Sequence, residues 1–590
     1  MRFSPAYAVC VVCGQHLGVW KTQTRSVVSL AYGCFQAQEV ILSCPAGCLS
    51  PEDGESVRRY RSEALAQIVA PAHRYAFDVV AEVGILRFLQ CRQRLEIQAE
   101  IKKRYGVFIP EGTIQELMGR FIDALCALHE EKVPVLRQSL VGRGGYVLYL
   151  DGTCEEGSKI HFACLTDSPP VALWSATIDS ESAVQIRRVL KEVDKRFGRP
   201  AATMEDLSNA IRNAVHAQWP GLPIFYCHQH FLADVGKDLL GDRYRRVRAL
   251  VYHSKIRPEL RRFLKQVRKT LGDNHEEARW ICQHLDRSED LKEKGRSLKA
   301  TSIAGGIAEW VLGAPSEGTG RGFPYDLPHV SFCLRARKAL QVLDTYVVPR
   351  IVGRTPRGEK LLLRLRRILH CFLASPTLPE TVNEIREVNS VFLRLRNALR
   401  LAAQGSARGM NGDPSSTSPE EVRAMEETVI RLREELRREH QRTLSAPLRT
   451  SIEIVLRHLD QYWDGLFGHC LPVSSPEERY LMVQRTNNLS ERFFRRVKRF
   501  QRRVTGKKRL NREVDALPPQ ALLVFNLATP GYVELLCGSL ANLPRAFAAL
   551  SRATRFPTPS TARRTATFLD RKTRRNPHFA RAVAVAYAAG

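Results

Sequence analysis

The sequence predicts a multidomain α+β protein, and three features of the chain support this fold class. The chain has 590 residues, more than a single hydrophobic core normally organises, so three or four domains are expected. Two cysteine pairs near the N-terminus flank a stretch of alternating polarity. Farther along, strand-like and helix-like patterns alternate, and a long basic helical region follows them, which is typical of mixed domains.

Changes in these patterns divide the chain into six predicted segments. In chain order they are a cysteine-rich ribbon over 1–55, a helical domain over 56–140, the first part of an α/β core over 141–240, a helical insertion over 241–478, the last helix of the core with a C-terminal segment over 479–550, and a basic tail over 551–590. A low-complexity stretch (AAQGSARGMNGDPSSTSPEE) interrupts the insertion. The Arg-rich composition of the tail predicts partial disorder.

The charge of the chain indicates its class of partner. The formal net charge is +29, and a chain this basic is expected to bind a polyanion, most commonly nucleic acid. An acidic membrane surface is the alternative, but the sequence contains no apolar run of about 18 residues. A uniformly solvated surface is a second alternative. The positive charge is concentrated in runs such as 243–269, which favours nucleic acid.

The cysteine pairs of the first segment predict a zinc ribbon. They are Cys10-x2-Cys13 and Cys44-x3-Cys48, on either side of a hairpin-like stretch. The first residues lack the apolar core of a signal peptide, so a reducing compartment and metal ligation are expected rather than disulfides. Four thiolates complete a tetrahedral zinc site, and the metal supplies folding energy that so small a core lacks. Cys34 or His16 could replace one ligand, and four unrelated buried cysteines are the alternative.

The second segment predicts a helix-turn-helix. A first helix ends at Tyr105-Gly106, and after a short turn a second helix opens at Thr113. The predicted inner face of the second helix comprises Ile114, Leu117, Phe121 and Leu125. This order of elements is typical of a helix-turn-helix domain that binds DNA. A plain helical linker domain is the alternative, because Glu111 and Glu116 would repel phosphates.

The α/β core shows a specific order of elements. Three strands, a helix over 182–197, a short strand, a helix, a strand and a final helix follow one another, which is the order of a ribonuclease H-like fold. Asp151 ends the first strand pattern and Asp206 ends the fourth. These two strands are neighbours in that fold, so the two carboxylates are expected to meet.

Paired carboxylates suit phosphodiester chemistry. Two divalent ions about 3.5–4 Å apart activate an oxygen nucleophile and stabilise the leaving oxygen, and such hard cations prefer carboxylate ligands. Each aspartate also has a structural interpretation. Asp151-Gly152 is a common turn opener, and Asp206 could cap the next helix, with Glu205 as the neighbouring ligand instead.

The chain resembles the DDE transposases of bacterial insertion sequences, whose ribonuclease H-like core is interrupted by a large helical insertion. The resemblance rests on Asp151-Gly-Thr, on Asp206 and the helix leading to Trp219-Pro220-Gly221, on Cys227-x2-His230, and on TNNLSERFFRRVKRFQRRVTGKK, which contains Glu491. It implies that Asp151, Asp206 and Glu491 are the catalytic residues and hold two Mg²⁺ (or Mn²⁺) ions.

The resemblance also implies the reaction and the partners. Such an enzyme nicks double-stranded DNA at the terminal inverted repeats of a transposon and joins the freed 3′ hydroxyl to target DNA. It works as a homodimer or larger assembly, in the bacterial cytoplasm in association with the nucleoid. Two rival functions remain open: a transposase-derived DNA-binding protein without catalysis, and a nuclease built on the same core.

Glu491 has two structural alternatives. Asn488-x-x-Glu491 could form a capping box, and Arg495 lies one helical turn after Glu491, in position for a surface ion pair. Periodicity places Glu491 away from the apolar stripe of its helix, which suits a cleft and solvent equally. The resemblance favours Glu491 as the third ligand, with Glu477 and Glu478 as fallbacks.

Other residues have proposed roles in structure or in DNA binding. Cys227 and His230 are interpreted as a structural or substrate-positioning pair, against plain burial. Trp310 could stack on an extruded base, although a tryptophan on an apolar helix face is usually core. A basic run is expected to attract phosphates to the metal site, since so dense a run repels itself without an anion. Its members are Arg495, Arg496, Lys498, Arg499, Arg502 and Arg503.

Overall fold

The computed structural model describes ten stretches of the chain. They are residues 1–50, 54–155, 157–167, 169–271, 275–286, 299–314, 322–347, 356–401, 419–473 and 480–552. Glu477, Glu478, most of the low-complexity stretch and nearly all of the basic tail lie outside the described residues. The chain divides into two compact units, the first formed by Met1–Phe225 with Cys470–Gly590 and the second by Tyr226–His469.

The first unit begins with a small sheet of four strands. These are β1 (Arg2–Phe3), β2 (Gly18–Ser29), β3 (Gly33–Ser43) and β4 (Arg59–Tyr60). The long hairpin β2–β3 forms the predicted ribbon, with β1 and β4 added along β3. Its buried side chains Val27 and Ala37 pack against Leu65, Val69 and Ala76, which anchors the hairpin to the next domain.

The second predicted segment is helical. It contains α1 (Glu63–Ile68), α2 (Phe77–Gly84), a π-helical turn (Ile85–Leu89), α3 (Arg94–Tyr105) and α4 (Glu111–Gly142). Helix α3 ends at Gly106, whose φ of 68° is the left-handed value that glycine adopts freely. The four residues predicted for the inner face of α4 are all buried. The predicted stop and the inner face are therefore confirmed.

The helix-turn-helix interpretation needs correction, because α4 is too deeply buried to enter a DNA groove. Over residues 111–125 only Gly112 and Glu116 are exposed. The Phe121 ring lies so close to Gly84 that a Cβ there would be 2.1 Å from it. A recognition helix must present side chains to base edges. The alternative, a helical domain without a reading helix at α4, agrees with this burial.

The α/β core is a five-stranded sheet flanked by helices. It comprises β5 (Val147–Thr153), β6 (Ile160–Asp167), β7 (Pro170–Ile178), α5 (Ala183–Phe197), β8 (Ala202–Glu205), α6 (Asn209–Gln218) and β9 (Ile224–Tyr226). The strand order is β7-β6-β5-β8-β9. Strand β6 is antiparallel to both β5 and β7, whereas β5 and β8 are parallel. The predicted order of elements and the pairing of the first and fourth strands are confirmed.

The second unit consists of helices in its described residues. They are α7 (His228–His253), α8 (Ile256–Leu271), α9 (His275–Asp286), α10 (Ala300–Gly313), α11 (Pro328–Val342), α12 (Pro356–Leu373), α13 (Thr377–Ala398), α14 (Pro419–Arg442) and α15 (Ala446–Leu466), with a π-helical turn at Leu343–Val347. Helix α10 is mostly buried and contacts α8, α9 and α12. Helix α13 packs against α7, α14 and α15.

The chain then returns to the first unit. It forms the hairpin β10 (Cys470–Pro472) and β11 (Tyr480–Met482), then α16 (Asn488–Thr505), α17 (Asn511–Asp515), a 3-10 helix (Ala521–Ala528), α18 (Pro530–Cys537), a 3-10 turn (Leu540–Asn542) and α19 (Leu543–Arg552). Within the described residues no single helix is long and apolar enough to cross a membrane. The segments Ala521–Ala528 and Pro530–Leu550 meet that test only as a pair bent by 107°.

Long-range polar contacts fasten this returning segment to the sheet. The Asn526 side chain accepts from Ala172 N and donates to Ala172 O, both at 2.8 Å, much as a neighbouring strand would. His161 Nε2 lies 2.6 Å from Val514 O. Since His161 pairs with Thr153 across β5 and β6, α17 covers the face of the sheet that carries Thr153 and Asp151.

Candidate metal centres

The first cysteine pair lies in a tight turn before β2. Cys10 N donates to Gln15 O at 2.7 Å, and Gly14 N donates to Cys10 O at 2.9 Å. Gly14 has a φ of 72°, a conformation that favours glycine. The turn folds the chain back on itself, so Cys10 and Cys13 face one point.

The second pair lies in a similar turn after β3. Gly47 N donates to Cys44 O at 3.1 Å, and Gly47 has a φ of 71°. The three-residue spacer is thus accommodated by a glycine placed immediately before Cys48. The two turns are neighbours because the β2–β3 ladder pairs Gly18 with Ser43 at this end of the hairpin.

The four sulfur atoms form a compact group. The Sγ atoms of Cys10, Cys13, Cys44 and Cys48 all lie within 4.8 Å of one another. A tetrahedral zinc site with bonds of about 2.3 Å needs sulfur separations of about 3.8 Å, so the group could hold zinc. Cys34 is exposed and pairs with Val28 near the opposite end of the hairpin. Neither Cys34 nor His16 belongs to the group.

Local hydrogen bonds give the thiols different pKa values. The Tyr60 hydroxyl donates to Cys10 Sγ at 3.3 Å. Together with the backbone groups of Cys13 and Val12, it lowers the pKa of Cys10 to about 6. Hydrogen bonding with the thiols of Cys13 and Cys44 raises the pKa of Cys48 to about 12. These hydrogen bonds favour the thiolate of Cys10, the form that binds metal.

The first two predicted carboxylates lie on adjacent strands. The parallel register pairs Leu150 of β5 with Glu205 of β8, so the next residues, Asp151 and Asp206, follow at the same level of the sheet. Strand β5 continues to Thr153, so Asp151 does not open a turn. The N-cap of α6 is Ser208, whose side chain accepts from Ile211 N. The capping role considered for Asp206 is therefore wrong.

Glu205 does not share the environment of these two aspartates. Side chains alternate along a strand, so Glu205 and Leu150 lie on the face of the sheet opposite Asp151. Glu205 is fully buried, and neither of its carboxylate oxygens has a hydrogen-bond partner among the described residues. Burial raises the pKa of Glu205 well above its usual value. This placement disfavours Glu205 as a ligand beside Asp151.

Asn487 fixes the start of α16 against the two strand ends. Its Nδ2 atom donates to Asp206 Oδ1 at 3.3 Å and lies 3.4 Å from Leu150 O. Its Oδ1 atom accepts from Ser490 Oγ at 2.7 Å. The preceding loop is also attached, since Gln484 N donates to the Tyr149 hydroxyl at 3.2 Å. The role of Asn487 was not predicted, although it lies in the quoted TNN motif.

Glu491 lies in the first turn of α16, four residues after Asn487. Four residues correspond to about 6 Å along a helix axis, so Glu491 is near the strand ends. Its side chain is 34% exposed and lies 3.9 Å from Arg495 Nη2, which is the predicted ion pair. Asn487, not Asn488, is the N-cap, so the proposed capping box is wrong. Among the described residues, the carboxylates of Asp151, Asp206 and Glu491 do not form a group as compact as the four thiols.

The basic run on α16 is exposed for the most part. Arg495, Arg499, Arg502 and Arg503 are exposed. Arg496 is also exposed but donates from Nη1 to Phe525 O at 3.1 Å. Lys498 is occupied internally, because its Nζ lies 3.1 Å from Glu155 Oε1 and donates to Cys154 O. Lys498 therefore holds α16 to the end of β5.

The remaining predicted residues belong to the second unit. Cys227 is buried and is the N-cap of α7, whose first turn contains the partly buried His230. The ligand atoms of Cys227 and His230 lie within 4.8 Å of each other, and the role of this pair stays a prediction. Trp310 is 5% exposed, with the Arg335 guanidinium 4.7 Å from its ring centre. The stacking role of Trp310 is corrected accordingly, because a buried ring offers no face to a base.

In sequence comparisons, no protein-family model and no curated protein matches the chain.

Proposed function

We propose that the protein is a DDE transposase with a ribonuclease H-like core and a large helical insertion. The observation that carries this proposal is the meeting of three chain segments at one edge of the sheet. Asp151 and Asp206 follow paired residues of parallel strands, and Asn487 binds both strand ends at the start of the helix with Glu491. The strand order β7-β6-β5-β8-β9 also supports the proposed core.

The donor set at this edge fits Mg²⁺ or Mn²⁺. Asp151, Asp206 and Glu491 offer hard carboxylate oxygens, which these ions prefer. Two such ions, when bound, would activate the attacking oxygen and stabilise the leaving oxygen of a phosphodiester. The protein positions these ligands. The two strands fix the aspartates, and the amide of Asn487 orients Asp206 and holds α16, the helix of Glu491, against the strand ends.

Charge on α16 supports DNA as the substrate. The exposed arginines at 495, 499, 502 and 503 begin one turn after Glu491 and continue along the helix. They would bring the phosphates of double-stranded DNA, both terminal inverted repeats and target, towards the carboxylates. An interaction of this kind weakens steeply as salt concentration rises.

The zinc ribbon and the assembly state complete the proposal. Zinc on the four cysteines would stabilise the N-terminal domain, which is proposed to contribute to binding of transposon ends. Strand transfer joins two DNA molecules, so a homodimer or larger synaptic assembly is proposed. The proposed location is the bacterial cytoplasm, in association with the nucleoid.

The test is cleavage and joining of DNA carrying the inverted repeats that flank the gene. With Mg²⁺ or Mn²⁺ the protein should nick the repeat ends, and Asp151→Asn should lower this activity by about 10³-fold or more, the scale of losing transition-state charge stabilisation. DNA binding should persist in the variant. Asp179→Asn is the matched control, since Asp179 is an exposed residue just after β7.

Two results would contradict the proposal. Full strand transfer by Asp151→Asn would show that the carboxylate is not a metal ligand. Metal-independent binding to the repeats with no cleavage by the unmodified protein would favour the rival function, a DNA-binding protein derived from a transposase.

A further inference from the structure

Exposed apolar side chains cluster at the cysteine end of the ribbon hairpin, on a surface here called the knuckle surface. Its six side chains are between 42% and 66% exposed. They are Tyr7, Val9, Val11, Val12, Val19 and Leu49. Exposed apolar side chains are ordinary when they are scattered singly over a protein, whereas a cluster of them marks an interaction site.

The two cysteine turns bring part of this surface together. Val11 and Val12 form the spacer of the first cysteine pair, and Leu49 directly follows the second pair. The four Sγ atoms lie within 4.8 Å of one another, so the two turns are in contact. Tyr60 connects Tyr7 to them, because its hydroxyl accepts from Val11 N at 3.2 Å and its ring centre lies 5.9 Å from that of Tyr7.

The strand register adds the remaining two residues. Val19 of β2 pairs with Leu42 of β3, and Leu42 pairs with Tyr60 of β4. Side chains opposite each other on paired strands share one face of the sheet. Leu42 and Tyr60 pack with the cysteines in one cluster, so Val19 lies on the cysteine face. Val9 joins through its bridge with His16, two residues before β2.

The segments that form the knuckle surface carry no charge. Residues 3–20 and 40–50 contain no Asp, Glu, Lys or Arg, although these four types make up 26% of the sequence. A DNA-binding surface needs cations to neutralise phosphates, so this composition argues against DNA as the occupant. The net charge of +29 makes two copies of the chain repel each other. An uncharged apolar surface lets two copies meet without bringing cations together at the contact.

We propose that the knuckle surface is a self-association site, on which a second copy of this chain docks its own knuckle surface about a two-fold axis. A two-fold contact uses the same patch on both subunits, and an uncharged patch is compatible with itself. The choice of a second copy as the occupant rests on the proposed function, which joins two DNA molecules and so needs two subunits. Arg58 supplies part of a polar rim, with its guanidinium 5.5 Å from the Tyr60 ring centre.

The area of the surface sets the strength of the contact. Six side chains about half exposed present about 500 Å² per chain, or about 1,000 Å² in a symmetric pair, which is the lower limit for a specific interface. Self-association in free solution is therefore expected to be reversible, with a dissociation constant of about 1–100 µM. Two copies bound to neighbouring DNA ends would meet at a raised effective concentration.

The first test introduces a charge at Val12. The backbone N–H of Val12 supports the Cys10 thiolate, and a change of its side chain leaves that group in place. Val12→Lys and Val12→Glu should each weaken self-association about tenfold or more, because a two-fold contact brings like charges together. An equimolar mixture of the two variants should associate again, since opposite charges then meet. Sedimentation of the full chain from about 1 to 100 µM measures both effects, and metal analysis checks that zinc content is unchanged.

Tyr32 provides the matched control. It is an exposed apolar residue of the same hairpin, in the turn between β2 and β3 at the end opposite the cysteines. Tyr32→Lys and Tyr32→Glu should therefore self-associate as the unmodified protein does. Binding of a labelled duplex of about 15 base pairs should change less than about twofold in all four variants, since neither position is proposed to contact phosphates.

Four results would overturn the inference. Unchanged self-association in both Val12 variants would locate the contact elsewhere, and a protein that stays monomeric at about 100 µM would leave the surface to another partner. No recovery in the mixture would exclude a two-fold contact at Val12. Tighter duplex binding by Val12→Lys with weaker binding by Val12→Glu would assign the surface to DNA.

The proposed function fails separately, on the cleavage assay with Asp151→Asn. A protein that self-associates through the knuckle surface and never cleaves DNA would retain this inference and contradict the transposase.

Discussion

Single residues position the segments that contain the proposed ligands, and Asn487 is the clearest case. The sequence predicted Asp151 and Asp206 from their places at strand ends, because strand pattern is local and readable. The contact of Asn487 with Asp206 and Leu150 spans 281 and 337 positions, so no local pattern encodes it. The TNN motif indicated only a helix start. The roles of the three carboxylates remain predictions.

Replacing Asn487 with alanine should damage both stability and the proposed activity. The change removes the amide that donates to the buried Leu150 O and to the partly buried Asp206 carboxylate, a loss of about 1–3 kcal/mol. It also frees the start of α16, so metal-dependent cleavage should fall about tenfold or more. The measurements are thermal unfolding and the cleavage assay.

Asn488→Ala is the control for this substitution, since Asn488 is the next residue and does not make these contacts. Equal effects of the two substitutions would show that the amide of Asn487 has no special role in placing the helix.

At the scale of whole elements, the ribbon hairpin and the core helices agree with their patterns. Alternating polarity identified β2 and β3, and Ser182 with the apolar spacing after it identified α5. The sequence did not predict that α4 would run for 32 residues through the middle of the first unit. Its burial comes from α2, α5, α18 and α19 packing around it, which periodicity within α4 cannot show.

The four-cysteine group of the ribbon has a direct test. Metal analysis of the purified protein should find about one zinc, and Cys10→Ser with Cys13→Ser should lose it, because two thiolates do not hold structural zinc. Chelation should lower the unfolding temperature of the ribbon in the unmodified protein.

Cys34→Ser with Cys91→Ser provides the comparison, since neither residue belongs to the group. If the Cys10→Ser, Cys13→Ser variant kept its zinc, the four cysteines of the ribbon would not be the zinc site.

At the scale of the whole molecule, the first unit is assembled from two stretches of chain that are far apart in sequence. The gap between Asp206 and Glu491 indicated an insertion, and Tyr226–His469 does form a separate helical unit. The contacts that close the first unit were not predicted, because they join residues about 350 to 400 positions apart. His161 with Val514, Ala172 with Asn526, and His129 with Tyr532 are three of them.

His129 makes the contacts that close the first unit sensitive to acid. Its Nε2 lies 3.1 Å from Leu173 O, and its Nδ1 lies 2.9 Å from the Tyr532 hydroxyl. A carbonyl only accepts, so Nε2 carries the proton and Nδ1 accepts from Tyr532. Burial lowers the pKa of His129 to about 4. In the unfolded chain the pKa of His129 is about 6.5, so below that pH the unfolded chain binds a proton at His129 and the folded chain does not. The free energy of unfolding therefore falls as the pH falls from about 6.5 towards the folded pKa.

The size of this acid sensitivity follows from the lowered pKa. Between about pH 7 and pH 5 the contribution of His129 to stability should decrease by about 2 kcal/mol. His129→Gln should be less stable at pH 7 because it disturbs both hydrogen bonds, but its loss on acidification should be smaller by that amount. Thermal unfolding at the two pH values measures the difference. His216→Gln, at an exposed position of α6, should retain the full acid loss. An equal acid loss in His129→Gln and the unmodified protein would show that closure of the first unit does not depend on neutral His129.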